Sequence, residues 1–148
     1  MHKKVRIQKL HKDAILPQYG SACAAGADLY ALCEEADMEI APGETKLVHT
    51  GVAMEIPEGY AGFIYARSGI ATKRGLAPAN CVGVVDSDYR GEVMVALHNH
   101  SKEVQTIASG ERIAQMVIAP FLPVIFEETE ALDKTERGAG GFGSTGRK

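Results

Sequence analysis

The 148-residue chain has no tryptophan, only three cysteines and no long run of apolar residues. A membrane-spanning helix needs about 18 consecutive apolar residues, so the sequence excludes a helical membrane protein. The first residues are basic and then alternate in polarity, unlike the apolar core of a secretory signal. We therefore expect a cytoplasmic protein with no membrane partner.

The cysteines stand alone. Cys23, Cys33 and Cys81 are separated by 10 and 48 residues, spacings that match no zinc or redox motif. An odd number of cysteines cannot all pair with each other. We expect free thiols.

Positive charge is also scarce. Sixteen Lys and Arg stand against nineteen Asp and Glu, a formal net charge of −3, and no cluster of Lys and Arg is longer than two. A general nucleic-acid binder needs a basic surface, so we expect no direct nucleic-acid partner. A few placed arginines would have to hold any polyanion.

Instead of long apolar runs, the sequence has short ones that are interrupted by 16 glycines and 6 prolines. They predict strands at residues 4–10, 27–32, 45–56, 60–66, 82–85, 92–98, 112–121 and 124–127. Such short, evenly punctuated strands favour an antiparallel sandwich, jelly roll or barrel over βαβ units. The length suits one domain with a core that needs no disulfide or structural metal.

One short helix is predicted at residues 68–75. Ser68 is a suitable N-cap, basic residues fill the last turn, and Gly75 suits the position after it. A helix start offers free backbone N–H groups to an anion, and Arg67 directly precedes it. The segment is either an anion site or a capped surface helix.

The last residues change in character. Residues 138–148 are rich in glycine around a single aromatic residue, Phe142, and Arg137 precedes them. This composition cannot pack a core of its own. The segment is either an inert tail or a lid in which Arg137 reaches an anion and Phe142 stacks on a planar ligand.

Residues 80–95 predict a hairpin with a polar turn. Asp86 and Asp88 lie two residues apart within it. Extended backbone would point both carboxylates to the same side, whereas a turn would separate them. They could bind a metal, do acid and base chemistry, or accept bonds from backbone amides.

Five motifs then appear in order along the chain: AGADL at 25–29, RSG at 67–69, GVVDSDYRG at 83–91, GERIAQ at 110–115 and RGAGGFGSTG at 137–146. Together they resemble the five ordered motifs of the trimeric deoxyuridine triphosphatases (dUTPases). One departure is Ala66, where the family often has proline before RSG. We expect this change to loosen the backbone there modestly.

The resemblance implies an all-β fold, a distorted jelly-roll β-barrel subunit with one short helix and a flexible C-terminal tail. Residues 1–136 would form the jelly-roll domain and residues 137–148 a glycine-rich active-site lid. It further implies a homotrimer with active sites shared between subunits. The implied reaction converts dUTP and water to dUMP and pyrophosphate with Mg²⁺, which limits uracil incorporation into DNA and supplies dUMP for thymidylate synthesis.

By the same resemblance, Asp86 would be the general base that activates the attacking water. Magnesium would be held through the substrate phosphates with no direct protein ligand. Asp28 would either stand in the outer shell of the metal or pair with an arginine, and Arg112 would be an ion-pair residue. The implied substrate-binding residues are Arg67, Ser68, Gly69, Asn80, Gly83, Val84, Val85, Tyr89, Met94, Gln115, Arg137, Phe142, Gly143, Ser144 and Thr145.

Specificity would follow from what these groups can contact. The Asn80 amide and nearby backbone would read the polar edge of uracil, and Tyr89 would lie against the deoxyribose and leave no room for a 2′-hydroxyl. Cytosine would present the wrong donor at position 4, and a buried site left with unpaired polar groups discriminates by up to about 10⁴-fold.

Two rival functions remain open. A dCTP deaminase would share the fold and phosphate motifs, although residues 86–89 and the tail speak against it. A nucleotide-sensing regulatory module could use the same pocket without turnover. The His98-Asn99-His100 sequence lacks the setting of a metal-finger nuclease, and a zinc deaminase would need ligand motifs that are missing.

Overall fold

A computed structural model describes residues 3–142 of the chain. Its strands alternate with turns, and its single described helix follows the sixth strand. The elements are β1 (Arg6–Lys9), β2 (Gln18–Tyr19), β3 (Ala27–Tyr30), β4 (Met38–Ile40), β5 (Thr45–Glu55), β6 (Tyr60–Tyr65), α1 (Ser68–Arg74), β7 (Leu76–Pro78), β8 (Gly83–Val85), β9 (Glu92–Asn99), β10 (Gln105–Ile107) and β11 (Arg112–Pro120).

Two sheets form the body of the protein. One runs in the order β2-β3-β11-β6-β8 and the other in the order β1-β5-β9-β7, and a two-stranded ribbon joins β10 to β4. Every pair is antiparallel. The all-β jelly roll with one short helix is confirmed.

The core lies between the sheets because strand residues alternate between two faces. In β9 every second residue is buried, which places Val93, Val95 and Leu97 inside and leaves Met94 and His98 partly exposed. Leu29, Ile40 and Ile113 are fully buried with them. Burying a side chain of this size contributes roughly 1.5–3 kcal/mol.

The predicted strand at residues 124–127 is wrong, because these residues form no strand in the structure. Ile125 and Phe126 are 95% and 94% exposed. Their sequence has strand propensity, but a strand also needs a partner, and within residues 3–142 none pairs with them. The sequence also failed to indicate β2, β4, β7 and β10, which have only two or three residues each.

The predicted hairpin at residues 80–95 is also wrong. β8 pairs with β6 in one sheet, whereas β9 pairs with β5 and β7 in the other. The two arms have the composition of paired strands, but the chain crosses between sheets over residues 86–91. The pocket described below lies at this crossing.

The helix occurs where it was predicted, with one difference at its start. Arg67 rather than Ser68 is the N-cap residue, with extended backbone and no capping bond from its side chain. Gly75 ends the helix with φ of 67°, a left-handed conformation that glycine adopts without strain. All three cysteines are free, as expected. No helix among residues 3–142 is long and apolar enough to span a membrane.

Candidate active site

A cavity of about 260 Å³ lies where the chain crosses from β8 to β9, and we call it the β8–β9 pocket. Its size suits a single planar ring at the small end of ligand pockets. It brings together seven of the residues predicted for the site and four that were not. The lining residues are Leu47, Ile64, Asn80, Gly83, Val84, Val85, Asp86, Tyr89, Glu92, Val93 and Met94.

Close backbone approach shapes the floor of this pocket. A Cβ atom on Gly83 would lie 3.2 Å from Ile64 and 3.4 Å from the Asn80 side-chain nitrogen. The lack of a side chain therefore keeps β8 close against β6. Cys81, with φ of 61°, forms the tight turn that brings Asn80 beside Gly83.

The chain turns at residues 87–88, so the backbone between the two aspartates is not extended, although both residues line a second cavity beside the pocket. The Tyr89 amide donates to the Asp86 carbonyl at 3.2 Å, and the Arg90 guanidinium donates to the Ser87 carbonyl at 2.7 Å. Asp86 lines the β8–β9 pocket, whereas Asp88 does not. Asp86 is exposed at the pocket, where water can reach its carboxylate.

A second group of polar residues lies at the other end of β6, and we call it the Asp28 cluster: Asp28, Arg67, Arg112 and Gln115. Asp28 is 8% exposed. Its carboxylate accepts from Arg67 Nε at 2.7 Å and from Arg112 Nη1 at 3.5 Å. A buried carboxylate needs such partners, so the ion pair fixes the Arg67 guanidinium beside the start of α1. Arg112 is an ion-pair residue, as expected.

Gln115 is connected to this cluster by a hydrogen bond from its side chain to the backbone beside Arg67. Its side-chain amide donates to the Ala66 carbonyl at 2.9 Å, directly before Arg67. A Cβ atom on Gly26 would lie 2.4 Å from Gln115 Oε1. Glycine at position 26 therefore leaves the space that Gln115 occupies.

The helix brings Ser68 and Gly69 to the surface next to Arg67. Its last residue, Arg74, pairs with Glu111 and donates to the Thr106 carbonyl. These contacts connect α1 to β10 and to the segment before β11. Contacts at both ends of α1 therefore fix the position of its first residues.

The two groups do not meet within one chain. Gly62 pairs with Val85, which places Asp86 level with Ala61, whereas Arg67 lies six residues further along the same extended chain. At about 3.3 Å per residue, six extended residues span at most about 20 Å, which is the upper limit for the distance between the backbones at these two positions. The structure therefore collects the predicted residues into two sets rather than one.

The tail stands apart from both groups. Residues 121–142 form no helix or strand, and Phe142 is fully exposed. Arg137 Nε donates to the Gly140 carbonyl within the tail at 2.8 Å. Gly143, Ser144 and Thr145, which were also predicted for the site, lie outside the described residues.

Glu92 also lines the pocket, although it is not among the residues predicted for the site. Its carboxylate accepts from the Gly51 amide at 2.8 Å and lies 2.9 Å from His49 Nδ1. Partial burial would raise the pKa of Glu92, but the bonds from His49 and the backbone amides and the charge of His49 outweigh it and lower the pKa. No local signal could have indicated a contact across 41 residues.

Comparison with known proteins identifies a single family along nearly the whole chain. The dUTPase family model matches residues 12–146. A deoxyuridine 5′-triphosphate nucleotidohydrolase of Nautilia profundicola is 51% identical over 144 residues, which cover 97% of this chain and 99% of that protein. The corresponding protein of Syntrophotalea carbinolica is 44% identical over 142 residues, 96% of each chain.

Solved structures agree in fold. A G164S variant of the dUTPase of Staphylococcus bacteriophage 80alpha, solved with dUpNHpp, superposes with a TM-score of 0.85 at 27% identity. The match covers 99% of this chain and all of that one.

Proposed function

Because the chain belongs to the dUTPase family and hydrolyses dUTP to dUMP and pyrophosphate, we propose that Asp86 is its general base. The position of Asp86 carries the proposal, since it is the exposed carboxylate at a pocket sized for one ring. It accepts a proton from a water molecule and directs that water at the α-phosphorus, in line with the departing pyrophosphate. Positioned proton transfer of this kind contributes about 10²–10⁴-fold to a rate.

The β8–β9 pocket binds the nucleoside. The Asn80 amide and the backbone near Val84, Val85 and Met94 face the same cavity and offer donors and acceptors to the polar edge of uracil. Tyr89 lies against the deoxyribose.

The Asp28 cluster binds the phosphates. Asp28 keeps the Arg67 guanidinium in one orientation, so that its remaining N–H groups present a fork to phosphate oxygens. Ser68 and Gly69 add backbone donors, and Gln115 holds the backbone before them. From the lid, Arg137 contacts the terminal phosphate and Phe142 covers the base, and Gly143, Ser144 and Thr145 are further substrate-binding residues in this proposal.

Magnesium serves the family reaction by neutralising charge on the triphosphate. Within residues 3–142, no group of three or more His, Cys, Asp or Glu side chains could hold a metal ion. Both Asp28 oxygens already accept from arginines. This donor set fits an ion held by phosphate oxygens and water, with Asp28 no closer than the outer shell.

Each active site is shared between subunits of a homotrimer. The placement of Asp86 and Arg67 towards opposite ends of β6 supports this proposal, because a site drawn from two subunits does not require one chain to span that distance. Leu122, Ile125 and Phe126 are 83–95% exposed, and such an apolar run requires a cover. Residues 1–136 form the catalytic domain and residues 137–148 the lid, in a cytoplasmic enzyme.

The activity itself is tested by product analysis. The purified protein is incubated with dUTP or dCTP and Mg²⁺, and pyrophosphate and ammonia are measured in parallel. We expect pyrophosphate from dUTP and no ammonia from dCTP. Ammonia from dCTP would identify a deaminase, and no product from either nucleotide would favour a sensing module.

Complementation tests the shared site. Asp86→Asn and Arg67→Ala chains carrying different affinity tags are co-expressed, and trimers holding both tags are purified in two steps. Every such trimer has chains in a 2:1 ratio, so about one site in three combines an intact Asp86 with an intact Arg67 from a neighbour. Activity near one third of wild type is expected, and activity no higher than that of the single variants would place each site within one chain.

A further inference from the structure

We infer that Gly91 and Glu92 are positioning residues that hold Tyr89 in the orientation that excludes a ribose sugar. The inference rests on the proposed role of Tyr89 and goes beyond it to the residues that set its position. Glu92 lines the β8–β9 pocket, but neither residue was among those predicted from the sequence to contact substrate.

The Tyr89 ring folds back over the chain that follows it. Its hydroxyl donates to the Glu92 carbonyl at 2.9 Å. A Cβ atom on Gly91 would lie 2.5 Å from that hydroxyl oxygen and 2.6 Å from the ring carbon that bears it. The ring therefore keeps this orientation only because residue 91 has no side chain.

The carbonyl that receives the Tyr89 hydroxyl is itself fixed. The Glu92 carboxylate accepts from the Gly51 amide at 2.8 Å and lies 2.9 Å from His49 Nδ1, so it joins the start of β9 to β5. These bonds occur where the pairing of the two strands is irregular, between His49 and Ala53. The carboxylate supplies the connection that regular strand pairing does not make there.

The irregular stretch of β5 is tightly packed, so it holds the Gly51 amide that donates to the Glu92 carboxylate. Gly51 has φ of 68°, and a Cβ atom on it would lie 2.7 Å from Leu32 and 2.9 Å from Ala14. The Thr50 hydroxyl, buried beside it, donates to the Val93 carbonyl. Glu92 is thus held by packed backbone on one side and supports Tyr89 on the other.

Sugar discrimination depends on this support because Tyr89 is 42% exposed and has little packing of its own. If the ring is free to rotate away, the space for a 2′-hydroxyl opens. Polar contacts to uracil do not change. The expected signature is weaker discrimination between deoxyribose and ribose with little loss of binding to the deoxynucleotide.

The test compares dUMP and UMP binding by calorimetry, and kcat/KM for dUTP and UTP, in five variants. Gly91→Ala and Glu92→Ala should each lower the deoxyribose preference about tenfold, a change of about 1.4 kcal/mol. Tyr89→Phe, which loses the hydroxyl bond, should lower it in the same direction. Glu92→Gln keeps an acceptor for the Gly51 amide and should restore most of the preference. Gly20→Ala is the matched control, since nothing lies within 4 Å of its Cβ position.

Two results would overturn the inference. In the first, Gly91→Ala and Glu92→Ala lower the melting temperature but leave the sugar preference at the wild-type value. In the second, Glu92→Gln loses as much preference as Glu92→Ala, which would make charge rather than the hydrogen bonds responsible. Failure of the wild-type protein to release pyrophosphate from dUTP would instead count against the proposed function, because the binding comparison does not depend on turnover.

Discussion

The Asp28 cluster and the β8–β9 pocket are built in opposite ways. In the cluster, the functional groups are side chains that bond to one another, with Asp28 buried between two arginines. In the pocket, the turns of the backbone form the cavity, and the side chains of Asp86, Tyr89 and Val84 are exposed. The geometry of the cluster is therefore set by bonds among its own side chains, whereas the pocket leaves its polar side chains at the surface.

The same difference fits the chemistry of each part. Phosphates carry charge, and arginines held by a buried carboxylate bind charge without reorganising. A uracil ring offers alternating donors and acceptors that backbone groups match at short range. In the proposed trimer, the exposed groups of the pocket would be available to a neighbouring subunit.

The Asp86→Asn variant is the most direct test of the catalytic role proposed for the pocket. The amide keeps the shape of the side chain but cannot take a proton from water, so turnover should fall about 10³-fold. Binding of dUpNHpp should stay within a few-fold of wild type, as measured by calorimetry. Near-normal turnover would remove Asp86 from the role of base and with it the catalytic half of the pocket.

Removing residues 138–148 takes away the proposed lid except for Arg137 and leaves both parts of the body intact. We expect a fall in kcat/KM of about 10²-fold, because in our proposal these residues contact the phosphates and cover the base. Light scattering should show an unchanged trimer, and circular dichroism an unchanged fold. Loss of the trimer or of the fold would mean that the segment is structural.

How far the sequence predicts this site depends on separation along the chain. Asn80, Asp86 and Met94 come from one segment, so their motif indicated the pocket even though its hairpin interpretation was wrong. The failure has a physical cause, because strand pairing is decided by partners elsewhere in the chain. β8 pairs with β6 rather than with the strand that follows it.

Contacts between segments that are far apart in the sequence could not be predicted from the sequence. Asp28 and Arg67 are 39 residues apart, and the composition of neither segment indicates which arginine the carboxylate would bind. Glu92 lies 41 residues from the Gly51 amide that it accepts from. The motifs indicated which residues matter, but only the packed sheets show which ones hold the others.

Gly26→Ala tests the Asp28 cluster without removing any functional group. The new methyl would lie 2.4 Å from Gln115 Oε1, so Gln115 must leave the Ala66 carbonyl. We expect the KM for dUTP to rise about fivefold to tenfold, with a smaller change in kcat, because a ground-state contact is displaced. Steady-state kinetics measure this, and Gly20→Ala is again the control. An unchanged KM would mean that the position of Gln115 does not matter for phosphate binding.

The smallest expected effect concerns stability around Glu92. Partial burial raises its pKa, but the bonds from His49 and the backbone amides, together with the charge of His49, outweigh burial, so the folded-state pKa is lowered. The ionised group therefore adds stability that is present above the unfolded-state pKa of about 4.3 and is lost as the pH falls through the folded-state value. Glu92→Gln cannot ionise and lacks this contribution at every pH.

Urea unfolding at fixed protein concentration should show wild type more stable than Glu92→Gln by about 1 kcal/mol at pH 7, the surplus of a charge-assisted over a neutral hydrogen bond. The gap should close as the pH falls below about 4.3. Glu39→Gln, at an exposed position on β4, should show no such gap. A gap that persists unchanged at low pH would show that ionisation of Glu92 is not the source of the added stability.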